Sequence, residues 1–134
     1  MRLGPFSLLI AMKFAEIEQT EGHLVEAHGP GWVRISGQRY TQGLILTPAE
    51  IVSPWGPACA SELDLEHLLD LTRFAPEVIL IGTGQTTALL DPLLQAPFIQ
   101  QRIGVEWMTT AAACRTYNIL VAEGRRVVAA LIID

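Results

Sequence analysis

Gly82-Thr83-Gly84 stands directly behind the apolar run at residues 78–81, at the carboxyl end of a strand, where open α/β sheets place their ligands. A dinucleotide fingerprint needs a Gly or Ala three residues further on, and Thr87 stands there instead. Glu106, 24 residues beyond Gly82, is no convincing ribose partner, and no Lys follows to complete a phosphate loop. Two readings stay open: a turn that needs glycine for positive φ, or a nest of backbone amides that takes an anion or a partner's carboxylate. Glu106 itself sits in the apolar segment 105–108, and a carboxylate there calls for a cation. Arg115, Arg125 and Arg126 are the candidates, for a structural ion pair or for a carboxylate facing a pocket. Arg115 and Asn118 are three apart on one helix flank, fit either to grip a carboxylate or phosphate or to tie helix to loop.

The other reactive residue types form no set. Cys114 falls on an apolar stripe and reads as core, and no His lies close in sequence to Cys59. His23, His28 and His67 keep no metal-ligand spacing, and no HExxH, CxxC or GxSxG string occurs, so neither a metal site nor a serine hydrolase elbow is expected. Trp32, Trp55 and Trp107 read as anchors of core or loop.

These residues belong to a chain of 134 residues, half of them hydrophobic, long enough to bury a core without disulfide or metal. A formal charge of -5 disfavours nucleic acid as a partner. Two cysteines indicate no disulfide framework and a reducing, cytoplasmic setting. The apolar run at residues 6–12 lacks a cleavage site and meets Glu16, Glu18 and Glu21, and no stretch reaches the roughly 20 apolar residues of a membrane span. Residues 1–12 are expected to be an extension, with Met12 a candidate initiator, ahead of one α/β domain over 13–134.

The elements that must position the candidates follow from turn residues and apolar spacing. Residues 24–27, 32–35, 38–40 and 44–46 read as strands, with Ser36-Gly37 a tight hairpin turn. Pro48, Pro54 and Pro57 predict an irregular loop around Trp55. Ser61 and Asp64 match a capping box for a helix that runs to about Phe74 and stops before Pro76. Residues 78–81 predict a strand buried on both faces. Asp91-Pro92 opens a helix through Arg102, offset at Pro97 and closed by Gly104. Residues 105–108 form a strand, Thr109 or Thr110 caps a helix that Gly124 ends, and residues 126–133 form the last strand. Hairpins followed by alternating strand and helix predict a mixed sheet with helices packed on it.

The strings VILIGTG at 78–84, IGVEWM at 103–108, ACRTYN at 113–118 and EGRR at 123–126 together resemble one small family. It is the α/β domain of unknown function that includes the mitochondrial NADH dehydrogenase (complex I) assembly factor 3 and the adipogenesis-associated domain protein; the resemblance runs from about Lys13 to Ile133. It implies a three-layer domain whose central mixed five-stranded sheet carries helices on one face and strands plus a helix on the other. It also implies an assembly or interaction role without established enzymatic activity or cofactor. Its recurrent residues fall on Gly82, Thr83, Gly84, Glu106, Met108, Arg115, Thr116, Tyr117, Asn118, Glu123 and Arg126, expected around one cleft. The reading favoured is an adaptor that binds a protein partner. The alternative is a small anionic-ligand-binding domain or uncharacterised enzyme using the 82–84 turn with Glu106 and Arg115. A monomer and a homodimer are equally compatible with the sequence.

Overall fold

A computed structural model describes residues 22–134; the expected extension over 1–12 and the Met12 start lie outside the described residues. The first hairpins form a three-stranded antiparallel sheet of β1 (Val25–Gly29), β2 (Trp32–Ile35) and β3 (Gln38–Tyr40). Ser36 and Gly37 both have positive φ, 49° and 78°, the backbone that a two-residue turn needs to match strand twist. β1 begins one residue later and ends two later than the spacing predicts, because Pro30-Gly31 alone makes its turn.

The main sheet has five strands: β4 (Leu44–Leu46), β5 (Ile51–Val52), β6 (Val78–Thr83), β7 (Gly104–Met108) and β8 (Val127–Ile132). Their order is β5-β4-β8-β6-β7, with β6 parallel to both β7 and β8, and β4 antiparallel to β5 and β8. The central pair, β6 and β8, is apolar at nearly every position because both faces are covered. Alternation divides the core. Ile45, Ile79, Ile81, Val128 and Ala130 meet Leu68, Leu71 and Phe98 on one face. Leu44, Leu46, Leu80, Ala129 and Leu131 meet Ala113, Cys114, Tyr117, Val33 and Ile35 on the other. The first face carries α1 (Leu65–Leu69) and α2 (Ala96–Gln100), and the second carries α3 (Thr110–Ala122) and the small sheet. This is the expected three-layer α/β architecture.

Four local expectations are corrected. The segment around Trp55 is not wholly irregular, since Ile51–Val52 pairs antiparallel with β4 between the prolines. The capping box is Asp64 with His67, not Ser61 with Asp64: Asp64 accepts from the His67 amide (2.9 Å), and the Asp64 amide donates to His67 Nδ1 (3.1 Å). Ser61 lies instead in a 3-10 turn, Ala60–Glu62, and the chain from Asp70 to Phe74 tightens to 3-10 before Ala75, at φ 51°, breaks it ahead of Pro76. Pro92–Leu94 is likewise a separate 3-10 turn, and Gly104 opens β7 rather than closing a helix. Arg102 supplies the left-handed residue there, at φ 60°.

α3 is the element that matters most for the candidates. Thr109 Oγ1 accepts from the Ala112 amide (3.2 Å) as N-cap. At the other end Gly124 has φ 78°, and the Gly124 and Arg125 amides return to the Val121 and Leu120 carbonyls, the paired bonds of a Schellman stop.

Candidate functional site

β6 ends in the 82–84 turn, and α3 starts beside it. A Cβ on Gly82 would lie 2.8 Å from Thr110 Oγ1 and 3.0 Å from Thr110 Cα, so glycine is what lets the first turn of α3 rest on the strand end. Thr83, buried at 4% exposure, donates to the Thr86 carbonyl (2.7 Å), lies 3.1 Å from the Met108 carbonyl and accepts from the Ala88 amide. The Gly84 amide donates to Thr110 Oγ1 (2.9 Å), and that hydroxyl donates on to the Ile132 carbonyl (2.6 Å). The Gln85 amide donates to the Asp134 carboxylate (2.9 Å). The carboxylate that the turn's backbone holds is therefore the chain's own. A cavity of about 290 Å³ opens next to it, walled by His28, Trp32, Gly84, Thr110 and Asp134.

Tyr117 and Asn118 work across α3 toward the small sheet. Tyr117, fully buried, donates to the His23 carbonyl (2.7 Å). Asn118 pairs with the backbone of β1 as a neighbouring strand would: Val25 N–H donates to its Oδ1 (2.9 Å) and its Nδ2 donates to the Val25 carbonyl (2.8 Å). Of the two uses open to Asn118, the structure displays the tie. Arg115 is exposed beside it and lines a second concavity with Glu26 and His28. Thr116 turns to the other flank of α3, its hydroxyl 3.6 Å from Met108 Sδ.

Glu106 departs from expectation. Because β7 is an edge strand, Glu106 is exposed on the flank that alternation shares with Met108, and among the described residues no ion pair joins it to Arg115, Arg125 or Arg126. Glu77 takes the role instead: its Oε1 accepts from the Arg126 amide (2.9 Å) and meets Arg125 Nε at 3.1 Å. Arg126 N–H holds the Glu77 carboxyl below its usual value of 4.5; burial opposes this, and the Arg125 guanidinium adds to the lowering. A depressed folded pKa gives stability that is complete above 4.5 and lost as pH falls through the folded value. Denaturation midpoints measured against pH should therefore fall less steeply on the acid side in Glu77→Gln than in the parent chain. Glu123, at the end of α3, and Arg126 lie at the opposite end of the sheet from the 82–84 turn.

The eleven expected residues thus do not gather around one cleft. One cavity takes Gly84, a second Arg115 and Asn118, and a third Arg126. Thr110, legible only as a candidate helix cap, and Asp134 and Glu77, which carry no sequence signal, do as much to hold the candidates as the candidates themselves. Their partners are 26, 49 and 49 residues away along the chain.

Cys114 is buried, and burial pushes its thiol up to about 12; Cys59 is half-buried with its Sγ 3.2 Å from Ser61 Oγ. Iodoacetamide at pH 8 should modify Cys59 in the folded protein and spare Cys114 until denaturant is added, as mass spectrometry would read. His67 serves the capping box, and His23 Nδ1 contacts Ser36 Oγ (2.6 Å) on the exposed β2–β3 turn, outside the three cavities. Among the described residues no group of three His, Cys, Asp or Glu is placed to hold a metal ion, and no helix is long and apolar enough to cross a membrane.

A family model for a protein of unknown function (DUF498/DUF598) matches residues 25–132. An uncharacterized protein of Rhodobacter capsulatus is 36% identical over 110 residues, covering 81% of this chain and 82% of the relative. The NADH dehydrogenase (ubiquinone) 1 alpha subcomplex assembly factor 3 of Xenopus tropicalis is 30% identical over 119 residues. That match takes in 87% of this chain, which spans 64% of the frog protein's length. A crystal structure of a Bordetella parapertussis protein superposes with a TM-score of 0.80 at 38% identity, over 87% of this chain and 99% of that one.

Proposed function

The chain belongs to the DUF498/DUF598 family of proteins of unknown function, and from that membership we propose that it is a non-enzymatic, assembly-factor-like adaptor that docks on a protein partner. The observation that carries this reading is the similarity to a protein named as a complex I assembly factor, over 87% of the present chain. The geometry supports it from the other side. The groups at the strand end that could do chemistry are committed internally: Thr83 to loop carbonyls, Thr110 to Ile132, and the Gly84 and Gln85 amides to Thr110 and Asp134. The anionic-ligand reading requires the 82–84 turn, Glu106 and Arg115 to converge, whereas Gly84 and Arg115 line separate concavities and Glu106 lines neither. The partner in this reading is a respiratory-chain assembly intermediate, met from the cytoplasmic side.

Deleting the gene in the source organism and quantifying assembled NADH dehydrogenase on native gels tests the reading. Assembled complex should fall while partial assemblies accumulate, and the plasmid-borne chain should restore it. Unchanged complex in the deletion strain would contradict the respiratory role.

A further inference from the structure

At the end of the sheet remote from the 82–84 turn, a cavity of about 370 Å³ lies between the Thr47–Glu50 turn and the start of β8. Arg73, Arg125 and Arg126 line it, three of only nine Lys and Arg residues in a chain of net charge -5. They come from separate places. Arg73 lies in the last turn of the 3-10 segment after α1, while Arg125 and Arg126 follow the Gly124 stop and precede β8.

Each guanidinium is anchored through Nε. Arg73 Nε lies 3.4 Å from Asp70 Oδ1, with its planar group 4.5 Å from the centre of the Phe74 ring. Arg125 Nε lies 3.1 Å from Glu77 Oε1, and Arg126 Nε donates to the Ala75 carbonyl (3.3 Å). Anchorage at Nε leaves the Nη1/Nη2 edge, the fork that matches a carboxylate's two oxygens, uncommitted to that anchor. Asp70 and Glu77 offset two of the cations. Arg126 Nε rests on a neutral carbonyl, among the described residues no carboxylate pairs with its guanidinium, and Glu50 is the one carboxylate in the wall. Pro48, Phe74 and Val127 give the wall an apolar stretch beside the cations. Pre-oriented forks beside an apolar surface suit a peptide carboxylate with a neighbouring apolar side chain better than a free inorganic anion, which would leave that surface bare.

We infer that this cavity is a docking site for an acidic, apolar-flanked peptide segment of the partner protein, with Arg126 its principal contact and Glu50 its gatekeeper. The inference rests on the adaptor reading and names the chemistry of what the adaptor grips. The probe is a fluorescent peptide alternating glutamate with leucine, titrated into the whole chain by anisotropy, with a glutamine–leucine peptide and inorganic phosphate alongside. Arg126→Gln should weaken binding about tenfold, whereas Glu50→Gln should tighten it several-fold, and added salt should weaken it. Both side chains are exposed, and matched thermal unfolding of the variants secures the comparison. Equal binding of the glutamine peptide, or no change in Arg126→Gln, overturns the site. Phosphate binding that depends on Arg126 without peptide binding overturns it in favour of a small-anion site. Loss of peptide binding beside a normal deletion phenotype removes the site and the reading together; peptide binding intact beside a normal phenotype removes only the respiratory reading.

Discussion

Asn118→Leu should lower the unfolding free energy by about 2–4 kcal/mol, read as a lower denaturant midpoint at unchanged slope. The side chain is doing for β1 what an adjacent strand would do, accepting from Val25 N–H and donating to Val25 C=O. Leucine is close in volume but leaves both partly buried backbone groups without a partner, and each such loss costs about 1–3 kcal/mol. Asn118→Asp separates the two bonds: the acceptor for Val25 N–H survives, while an oxygen now faces the Val25 carbonyl. Arg115→Leu, one turn earlier and exposed, should stay within about 0.5 kcal/mol of the parent chain. If Asn118→Leu were equally silent, the small sheet would be held by its apolar face alone.

Gly84→Ala should cost about 2–4 kcal/mol, for two reasons that a double-mutant cycle can part. Residue 84 has φ +93°, a backbone that a Cβ disfavours by about 1–2 kcal/mol, and that Cβ would run into the Asp134 carboxylate. Displacing Asp134 in turn frees the Gln85 amide, worth about another 1.5–3 kcal/mol for a bond to a charged acceptor, discounted here because the pair is exposed. Asp134→Ala alone should therefore destabilise the parent chain measurably and the Gly84→Ala chain hardly at all. Additive effects would mean that the carboxylate and the glycine are energetically independent.

What could be read from the chain was set by how local the cause is. The apolar run 78–81, the Ser36-Gly37 turn and the Thr109 and Gly124 ends of α3 are each decided by neighbouring residues, and each stands where the spacing places it. Ile51–Val52 was illegible because two residues between prolines become a strand only when β4 offers them a ladder. Asp64 took the cap that Ser61 was assigned because the same three-residue spacing recurs at Asp64 and His67, and only the reciprocal bond distinguishes the frames. Glu106 looked buried because Val105, Trp107 and Met108 surround it in sequence; nothing in that string says that β7 lies at the edge of the sheet. The candidate residues lie in short local strings, but their division among separate cavities depends on topology. β6 and β8 run parallel, so the 82–84 turn and Arg126 mark opposite ends of the same pair of strands.

Quantitative affinity enrichment from gently solubilised source cells tests the proposed docking role against a catalytic one. The bait would be the parent chain, with folded Arg126→Gln and Arg115→Ala chains in parallel. A small, reproducible set of proteins containing NADH dehydrogenase subunits or their assembly machinery should be retained by the parent chain and depleted by Arg126→Gln. No protein enriched above the mock bait at native expression, with the bait recovered intact, would contradict the docking role.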